Sequence, residues 1–281
     1  MPYRTILINL NDEERVPTLI QTALSLRGNY EVHIIGLYVM PWAIPPTEFA
    51  GPPALAWLED QLACYREQGQ RIKVAFEAII KEAKNVTHEW RHDDSSFDAN
   101  VADAIVDHAR TVDLVVVSQA GHNAWIDDVP ERVAIEGCRP VLVVPCEGDF
   151  KRIGEEVTIA WKPTREATRA VFDALPVLKN AQHVRLLTVI EKDVSQSAEC
   201  SPTSGEELAS SLLRHGIHVE AETLAQDDLS VANRLLERSR RTYQDLIVMG
   251  IYGHSRLREF VLGGVSRDIL QHASVPILIA H

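Results

Sequence analysis

Two stretches of the chain decide its fold, because the second repeats the first. Residues 113–145 are DLVVVSQAGHNAWIDDVPERVAIEGCRPVLVVP, and residues 245–281 are DLIVMGIYGHSRLREFVLGGVSRDILQHASVPILIAH. Each starts with Asp-Leu and a β-branched run, passes through Gly-His, and reaches a proline before an apolar run. That proline follows the aspartate by 27 residues in the first copy and by 31 in the second. Internal similarity of this kind indicates two structural repeats, the first with a shorter loop.

The repeat extends upstream of both stretches. Each half begins with apolar runs that alternate with amphipathic, helix-like segments. Predicted strands begin at Tyr3, Tyr30, Val86 and Asp113 in the first half and at Val157, His183, Ile217 and Asp245 in the second, and a fifth follows each proline. This alternation predicts an α/β fold with two tandem five-stranded parallel-sheet domains, each covered by helices on both faces. We expect domains at residues 1–147 and 154–281, joined near residues 146–156.

A proline-rich stretch, MPWAIPPTEFAGPP at residues 40–53, follows the second predicted strand. Its proline content predicts a loop. Because the loop leaves the carboxyl end of a strand, it is either a surface excursion or dimer contact, or a lid over a ligand.

Composition limits the functions open to the chain. The net charge of −12 argues against a general nucleic-acid binder, which needs a basic face. No apolar run is long enough to span a membrane, and the N-terminus turns charged before it reaches signal-peptide length, so we expect a cytoplasmic protein. Residues 1–150 carry 12 basic and 23 acidic side chains, a net of −11, whereas residues 151–281 carry a net of −1. An anionic ligand is therefore expected in the second half.

The cysteines and histidines form no metal or disulfide pattern. The four cysteines are Cys64, Cys138, Cys146 and Cys200. They are far apart and form no CxxC pair, so they are predicted to be buried free thiols. His88 and His92 fall on one face of a predicted strand, but the sequence places no third ligand near them, and no metal site is predicted.

The loop of the second copy, GIYGHSRLREFVLGGVS at residues 250–266, contains four glycines. Between a strand and a helix, such a backbone exposes amide groups near the positive helix N-terminus, which is an anion-binding arrangement. His254, Arg256 and Arg258 add positive or proton-donating groups, and Ser266 can donate its hydroxyl or cap the helix. Glycines at such a turn can equally serve geometry alone. Composition therefore leaves a phosphate cradle and a simple turn both open.

The spacing of the loop adds a resemblance. Gly250-x2-Gly253-x9-Gly263, between DLIVM and a helix, resembles the nucleotide loop Gly-x2-Gly-x9-Gly-Ser/Thr of the universal stress protein family. The similarity covers nearly the whole chain as two consecutive copies, the arrangement of tandem universal stress proteins. It implies Rossmann-like domains of the adenine nucleotide α-hydrolase-like type, packed as a pseudo-dimer through their last strands. It also implies ATP, or AMP or ADP, as the ligand, with or without Mg²⁺.

The resemblance implies particular binding residues. The expected nucleotide-binding set, with His254 added as a nearby donor, is Gly250, Gly253, His254, Gly263, Gly264, Val265, Ser266, Val189 and Lys162. In the family the glycines line the phosphates, and the backbone at the position of Val189 bonds to adenine. Three positions depart from the pattern: Gly264 replaces a Ser or Thr, and Lys162 and Pro163 replace an Asp and a Gly. A lysine cannot accept from a ribose hydroxyl, so it either reaches a phosphate or blocks the pocket.

The first copy lacks these residues. Aligned from the shared proline, Asp127 and Asp128 stand at the double-glycine position and Pro130 at the serine position; aligned from the shared aspartate, Ser118 stands at the first glycine. Two carboxylates repel a phosphate, or one of them caps the following helix. Both alternatives predict an N-terminal domain that does not bind nucleotide and that packs against its twin.

No catalytic motif accompanies the loop: the sequence contains no GxSxG, HExxH, HIGH-type or SGGxDS signature. We therefore expect a stress-response protein whose C-terminal domain binds an adenine nucleotide as a sensor or regulator, with no catalytic residues. A slow ATPase and a nucleotide-free interaction scaffold remain open as alternatives, as does a homodimer.

Overall fold

The structure of the protein is a computed structural model. It describes residues 2–28, 30–41, 43, 52–94, 100–119, 129–190, 202–225, 229–251 and 264–281. The strands in this part of the chain are β1 (Thr5–Asn9), β2 (Val32–Val39), β3 (Val86–Asp93), β4 (Leu114–Ser118), β5 (Val141–Val144), β6 (Glu156–Ala160), β7 (His183–Ile190), β8 (Val219–Ala225), β9 (Leu246–Gly250) and β10 (Ile277–Ala280). The helices are α1 (Val16–Ser25), α2 (Pro52–Ile80), α3 (Val101–Ala109), α4 (Val129–Glu136), α5 (Arg165–Asp173), α6 (Leu175–Leu178), α7 (Pro202–Arg214), α8 (Val231–Arg241) and α9 (Gly264–His272).

The strands form one sheet in the order β3-β2-β1-β4-β5-β10-β9-β6-β7-β8. Neighbouring strands are parallel within each half, and β5 and β10 pair antiparallel with Leu142 opposite Leu278. Both halves therefore have the same internal order: third, second, first, fourth and fifth strand. The predicted α/β fold, with two tandem parallel-sheet units packed as a pseudo-dimer, is confirmed.

Helices cover both faces of the sheet because its strands are apolar on both sides. Ile6 and Ile8 of β1 belong to one core and Leu7 to the other. The first core packs under α1, α2, α5 and α7, and the second packs under α3, α4, α8 and α9. Since each core includes residues of both halves, apolar packing continues across the β5–β10 junction.

The aspartate that opens each repeat holds the start of a first strand. Asp113 accepts hydrogen bonds from the backbone N–H groups of Arg4 at 2.8 Å and Thr5 at 2.9 Å. Asp245 accepts three such bonds, from residues 154–156, at 2.8, 3.0 and 3.2 Å. A carboxylate is a strong acceptor for backbone amides that need partners. The repeated aspartate therefore has a structural role.

Among the described residues, two side chains of the N-terminal half bond directly to the C-terminal half. The hydroxyl of Tyr3 donates to the carbonyl of Asp173 at 2.7 Å. Burial raises the pKa of this tyrosine well above its ordinary value. Nε2 of Gln119, just after β4, donates to the carbonyl of Leu270 in α9 at 2.6 Å. Polar contacts thus reinforce the sheet junction.

The prediction of buried cysteines is wrong for the three that the structure describes. Cys64, Cys138 and Cys146 are free thiols, as expected, but they are exposed. Cys64 lies on the exposed side of α2, Cys138 in a left-handed turn with φ of 53°, and Cys146 just after β5 ends. These positions face away from both cores. Cys200 lies outside the described residues.

The proline-rich loop is shorter than predicted, because α2 begins at Pro52. Proline is tolerated in the first helical turn, where an N–H would have no partner in the helix. Residues 42 and 44–51 of this stretch lie outside the described residues.

The expectations about membrane spans and metal sites can be compared with the structure in the described residues alone. Within them, no helix is long and apolar enough to cross a membrane. In the same residues, no cluster of three His, Cys, Asp or Glu side chains is placed to hold a metal ion. His88 and His92 do share a face of β3, where they pack against the rings of Phe76 and Tyr38.

Candidate functional site

The carboxyl ends of β9, β6 and β7 surround a pocket in the C-terminal half. These strands are neighbours in the sheet, with β6 in the middle. Ligands of open parallel sheets bind at this edge. The cavity has a volume of about 260 Å³, just below the range of roughly 300–1,000 Å³ for small-molecule sites. Its described lining is Ala160, Trp161, Lys162, Ala167, Leu187, Val189, Val231, Leu235, Met249, Gly250, Gly264, Val265 and Ser266.

Six of the nine expected binding residues meet at this pocket: Lys162, Val189, Gly250, Gly264, Val265 and Ser266. They come from the ends of β6, β7 and β9 and from the first turn of α9. The other three, Gly253, His254 and Gly263, lie outside the described residues, as do Arg256 and Arg258. The segment that contains these five residues leaves β9 after Gly250 and enters α9 at Gly264, and both glycines line the pocket.

Gly250 is required by packing. A Cβ at this position would lie 2.3 Å from the backbone nitrogen of Ala167 and 2.5 Å from the carbonyl carbon of Glu166. The N-terminus of α5 therefore lies directly against the end of β9. Thr164 caps α5 by accepting from the N–H of Ala167 at 3.3 Å. Of the two roles that the sequence left open for this glycine, the described contacts support the geometric one.

The first turn of α9 offers polar groups to the pocket. Because α9 begins at Gly264, Ser266 lies inside the helix, so the alternative that it caps the helix is wrong. Its side chain is 4% exposed and lines the pocket, and its hydroxyl bonds to no described residue. A Cβ on Gly264 would meet no atom within 4 Å. Amide groups and a hydroxyl at a positive helix end form an environment suited to an anion.

The chain turns sharply after β6. The N–H of Thr164 donates to the carbonyl of Lys162 at 2.7 Å, which closes a three-residue turn around Pro163. The fixed φ of proline suits the central position of this turn. Pro163 therefore shapes the exit from β6 while Lys162 lines the pocket.

Val189 presents backbone groups at the opposite side of the pocket. The carbonyl of Leu187 accepts from the N–H of Trp161 at 2.8 Å, across the β7–β6 pair. Two residues further on, the N–H and C=O of Val189 point to the same side, where β6 has already ended. Neither group bonds to a described residue on that side. One donor and one acceptor therefore stand side by side at the pocket.

The described lining is positively charged. It contains one basic side chain, Lys162, and no carboxylate. Magnesium in proteins is bound through carboxylates and phosphate oxygens. The described part of the pocket therefore does not fit a magnesium ion held by the protein itself.

The equivalent edge of the N-terminal half is filled by its own side chains. The strand registers place Asn11 at the position of Lys162 and Val39 at the position of Val189. Nδ2 of Asn11 donates to the carbonyl of Val39 at 2.5 Å, and its Oδ1 lies 3.3 Å from the Val39 nitrogen, which donates to it. Asn11 thus pairs with the two backbone groups that Val189 leaves open.

An arginine fills the strand ends beside it. Ser118 stands at the position of Gly250. The guanidinium of Arg15 donates to the Ser118 hydroxyl at 3.2 Å and to the carbonyls of Pro145 at 2.5 Å and Cys146 at 2.7 Å. A side chain of the N-terminal half therefore stands where the C-terminal half has a close contact between strand and helix.

Helix α4 also differs from α9 in its first turn. Pro130, which is buried, stands at the position of Ser266, so no hydroxyl is available there. Glu131 follows it, and an acidic side chain complements a positive helix end, whereas the first turn of α9 has no acidic residue. Asp127 and Asp128, which the sequence places opposite the glycines, lie outside the described residues.

Sequence reasoning missed the apolar wall and both filling side chains. Val231 and Leu235 of α8 and Met249 of β9 line the pocket, yet their sequence pattern is that of ordinary core residues. Asn11 and Arg15 lie in a segment whose pattern indicates only the start of a helix. Aligning the first strands of the two halves would have placed Asn11 opposite Lys162, which is the signal that could have found it.

The fold and the pocket define a class: tandem α/β proteins in which two parallel-sheet units join edge to edge, with a ligand-type cavity at the strand ends of one unit. Residues 156–281 match the Universal stress protein family. The C-terminal half of the chain therefore contains a match to that family, as the spacing of its glycines predicted.

Solved structures extend the likeness to the whole chain. A universal stress protein from Archaeoglobus fulgidus DSM 4304 is 14% identical with a TM-score of 0.68, and the match covers 99% of this chain and 96% of that chain. A functionally unknown protein from Pseudomonas aeruginosa PAO1 is 13% identical with a TM-score of 0.59, covering 99% and 92%. The cytoplasmic domain of a prokaryotic cation chloride cotransporter is 10% identical with a TM-score of 0.52, covering 99% and 95%. At identities this low, the TM-scores show a shared fold alone. A comparison with curated proteins found no significant match.

Proposed function

We propose that the C-terminal half binds an adenine nucleotide, ATP or ADP or AMP, and acts as a nucleotide-dependent sensor or regulator in a stress response. The observation that carries this proposal is the presence, in one cavity, of the open backbone pair of Val189 and the first turn of α9. The N-terminal half, where Asn11 and Arg15 fill the equivalent positions, is proposed not to bind nucleotide.

The base is placed at β7. Adenine offers a hydrogen-bond donor, its amino group, next to a ring-nitrogen acceptor, and the C=O and N–H of Val189 complement this pair. Apolar side chains of Leu187, Val231 and Leu235 line the same cavity. A flat, largely apolar base suits such a wall, while the backbone pair fixes its orientation.

The phosphates are placed at the start of α9. The first-turn amides, the Ser266 hydroxyl and the positive helix end favour an anion there. The family pattern adds Gly253 and Gly263 to this end of the ligand. The near-neutral charge of residues 151–281, against −11 for residues 1–150, supports the same placement.

Regulation by binding is favoured over turnover. Phosphoryl transfer to water needs a positioned water and groups that stabilise the developing charge, usually with a metal held by a carboxylate. No carboxylate lies in the described lining. The proposed output is a change at the surface around residues 250–266 when nucleotide binds.

Isothermal titration of the full chain with ATP, ADP and AMP tests the proposal. We expect one site per chain, and Ser266→Ala should weaken binding about fivefold, as loss of one hydrogen bond does. Ser118→Ala, in the N-terminal half, is the matched control and should leave affinity unchanged. Absence of heat and of any thermal shift at millimolar nucleotide would sink the proposal. Two sites per chain would overturn the proposal that the N-terminal half does not bind nucleotide. Conversion of bound ATP in a single-turnover assay would favour the slow ATPase.

A further inference from the structure

Lys162 lies between the two ends of the pocket. The strand order β9-β6-β7 places the end of β6 between the α9 side and Val189. In the proposed orientation, phosphates lie at β9 and α9 and the base lies at β7, so the sugar lies over the end of β6. Lys162 follows β6 by two residues, and the turn around Pro163 fixes its backbone. A cationic side chain therefore lines the sugar region.

A free ribose finds no carboxylate acceptor for its hydroxyl protons in the described part of this region. Its two neighbouring hydroxyls are donors that nucleotide sites commonly pair with a carboxylate. The ammonium of Lys162 has donors only, and no described lining residue supplies a carboxylate. In dinucleotide sites, a basic residue in place of the acidic one accommodates a phosphate on the ribose.

We propose that the pocket selects a nucleotide that carries a phosphate on its ribose ring, at the 2′ or 3′ position, and that Lys162 binds this phosphate. The proposal rests on the proposed function and narrows its ligand class. Hydrogen bonds between an ammonium and a phosphate are charge-assisted and roughly twice as strong as neutral ones. A positively charged lining with no carboxylate in its described part favours the added negative charge.

The flexible lysine stem can also reach toward the 5′ phosphates, and a charge-matched probe separates the two cases. AMP is the reference ligand. ADP adds one phosphate to the 5′ chain, whereas adenosine 2′,5′-bisphosphate and adenosine 3′,5′-bisphosphate add one to the ribose. Titrating the full chain with these four compounds distinguishes where the extra phosphate is recognised, and the last two distinguish the 2′ from the 3′ position.

We expect one bisphosphate to bind at least tenfold more tightly than AMP and more tightly than ADP. Lys162→Met should remove this preference, and Lys162→Arg should restore it. Matched thermal melting curves would show that the variants are folded. Bisphosphates no tighter than AMP, or a preference that survives in Lys162→Met, would overturn this inference alone. If none of the four compounds binds, the proposed function fails with it.

Discussion

In the N-terminal half, Asn11 bonds to both backbone groups of Val39, whereas in the C-terminal half the same groups of Val189 face an open pocket. The strand order of the two halves is identical. The halves differ in whether the side chain that follows the first strand bonds to these backbone N–H and C=O groups, which are costly to leave unpaired when buried. One half satisfies them with its own side chain, and the other leaves them for solvent or a ligand. In the N-terminal half, a side chain of the chain itself therefore occupies the position that is open in the C-terminal half.

Gly250→Ala should have the largest effect on stability. The added Cβ would overlap the backbone of α5, which cannot move aside as a side chain can. We expect a loss of about 4 kcal/mol, beyond the roughly 1–3 kcal/mol of ordinary overpacking. Urea denaturation measures it. Gly264→Ala, where the Cβ meets open space, is the control and should be neutral or slightly stabilising. Equal losses of stability in both variants would show that packing against α5 does not require Gly250.

Removing the repeated aspartates should lower the free energy of unfolding by different amounts in the two halves. Asp245→Ala strips three backbone N–H groups of their acceptor and Asp113→Ala strips two. We expect losses of about 3 and about 2 kcal/mol in the free energy of unfolding, since each bond to a charged group contributes roughly 1.5 kcal/mol or more and water partly replaces it. Denaturant titration of both variants checks the ranking. Losses below about 0.5 kcal/mol in both would remove the structural role.

Asn11→Ala should destabilise the chain by about 2 kcal/mol, because it leaves the N–H and C=O of Val39 without their side-chain partner. Lys162→Ala, at the equivalent position of the other half, should cost less than about 0.5 kcal/mol, since a partly exposed lysine makes a small contribution. Urea denaturation of both variants measures this difference in the free energy of unfolding. No difference would mean that Asn11 does not fill a site.

Lys162→Asn transfers the filling side chain of the N-terminal half to the C-terminal half. We expect the new amide to pair with the backbone of Val189 as Asn11 pairs with Val39, which should stabilise the chain by about 1 kcal/mol. The same pairing should weaken ATP binding at least tenfold, because it occupies the position proposed for adenine. Calorimetric titration and denaturation together test this. An unchanged affinity for ATP would show that the two edges are not interchangeable.

Tyr3→Phe should cost about 1 kcal/mol at neutral pH, through loss of the bond to Asp173 across the halves. Because burial raises the pKa of Tyr3, the folded state holds this proton above pH 10 while the unfolded state releases it. The stability of the wild-type chain must then fall as the pH rises above 10, and the variant should lack this part of the fall. Denaturation at pH 7.5, 9.5 and 10.5 should show the two curves converging. A difference in stability that stays constant at all three pH values would contradict the raised pKa of Tyr3.

The fold could be predicted because its signals are local. Apolar runs bounded by glycine and proline, and the shared Asp-to-Pro spacing, placed the strands in sequence order and showed the repeat. The filled site could not be predicted in this way, since Arg15 meets Cys146 across 131 positions and Asn11 meets Val39 across 28. Gly250 was found, but the contact with Ala167 that demands it depends on where α5 packs.

The antiparallel pairing of β5 with β10 should persist when the protein is diluted. Two separate chains that join through such an edge come apart on dilution. Here both edges belong to one chain, so the pairing is intramolecular, with an effective concentration on the order of millimolar for a short connection. A second copy of the protein would find both fifth-strand edges already taken. It would meet the outer strands β3 and β8 instead, where charged side chains such as Arg91 and Glu220 oppose strand addition.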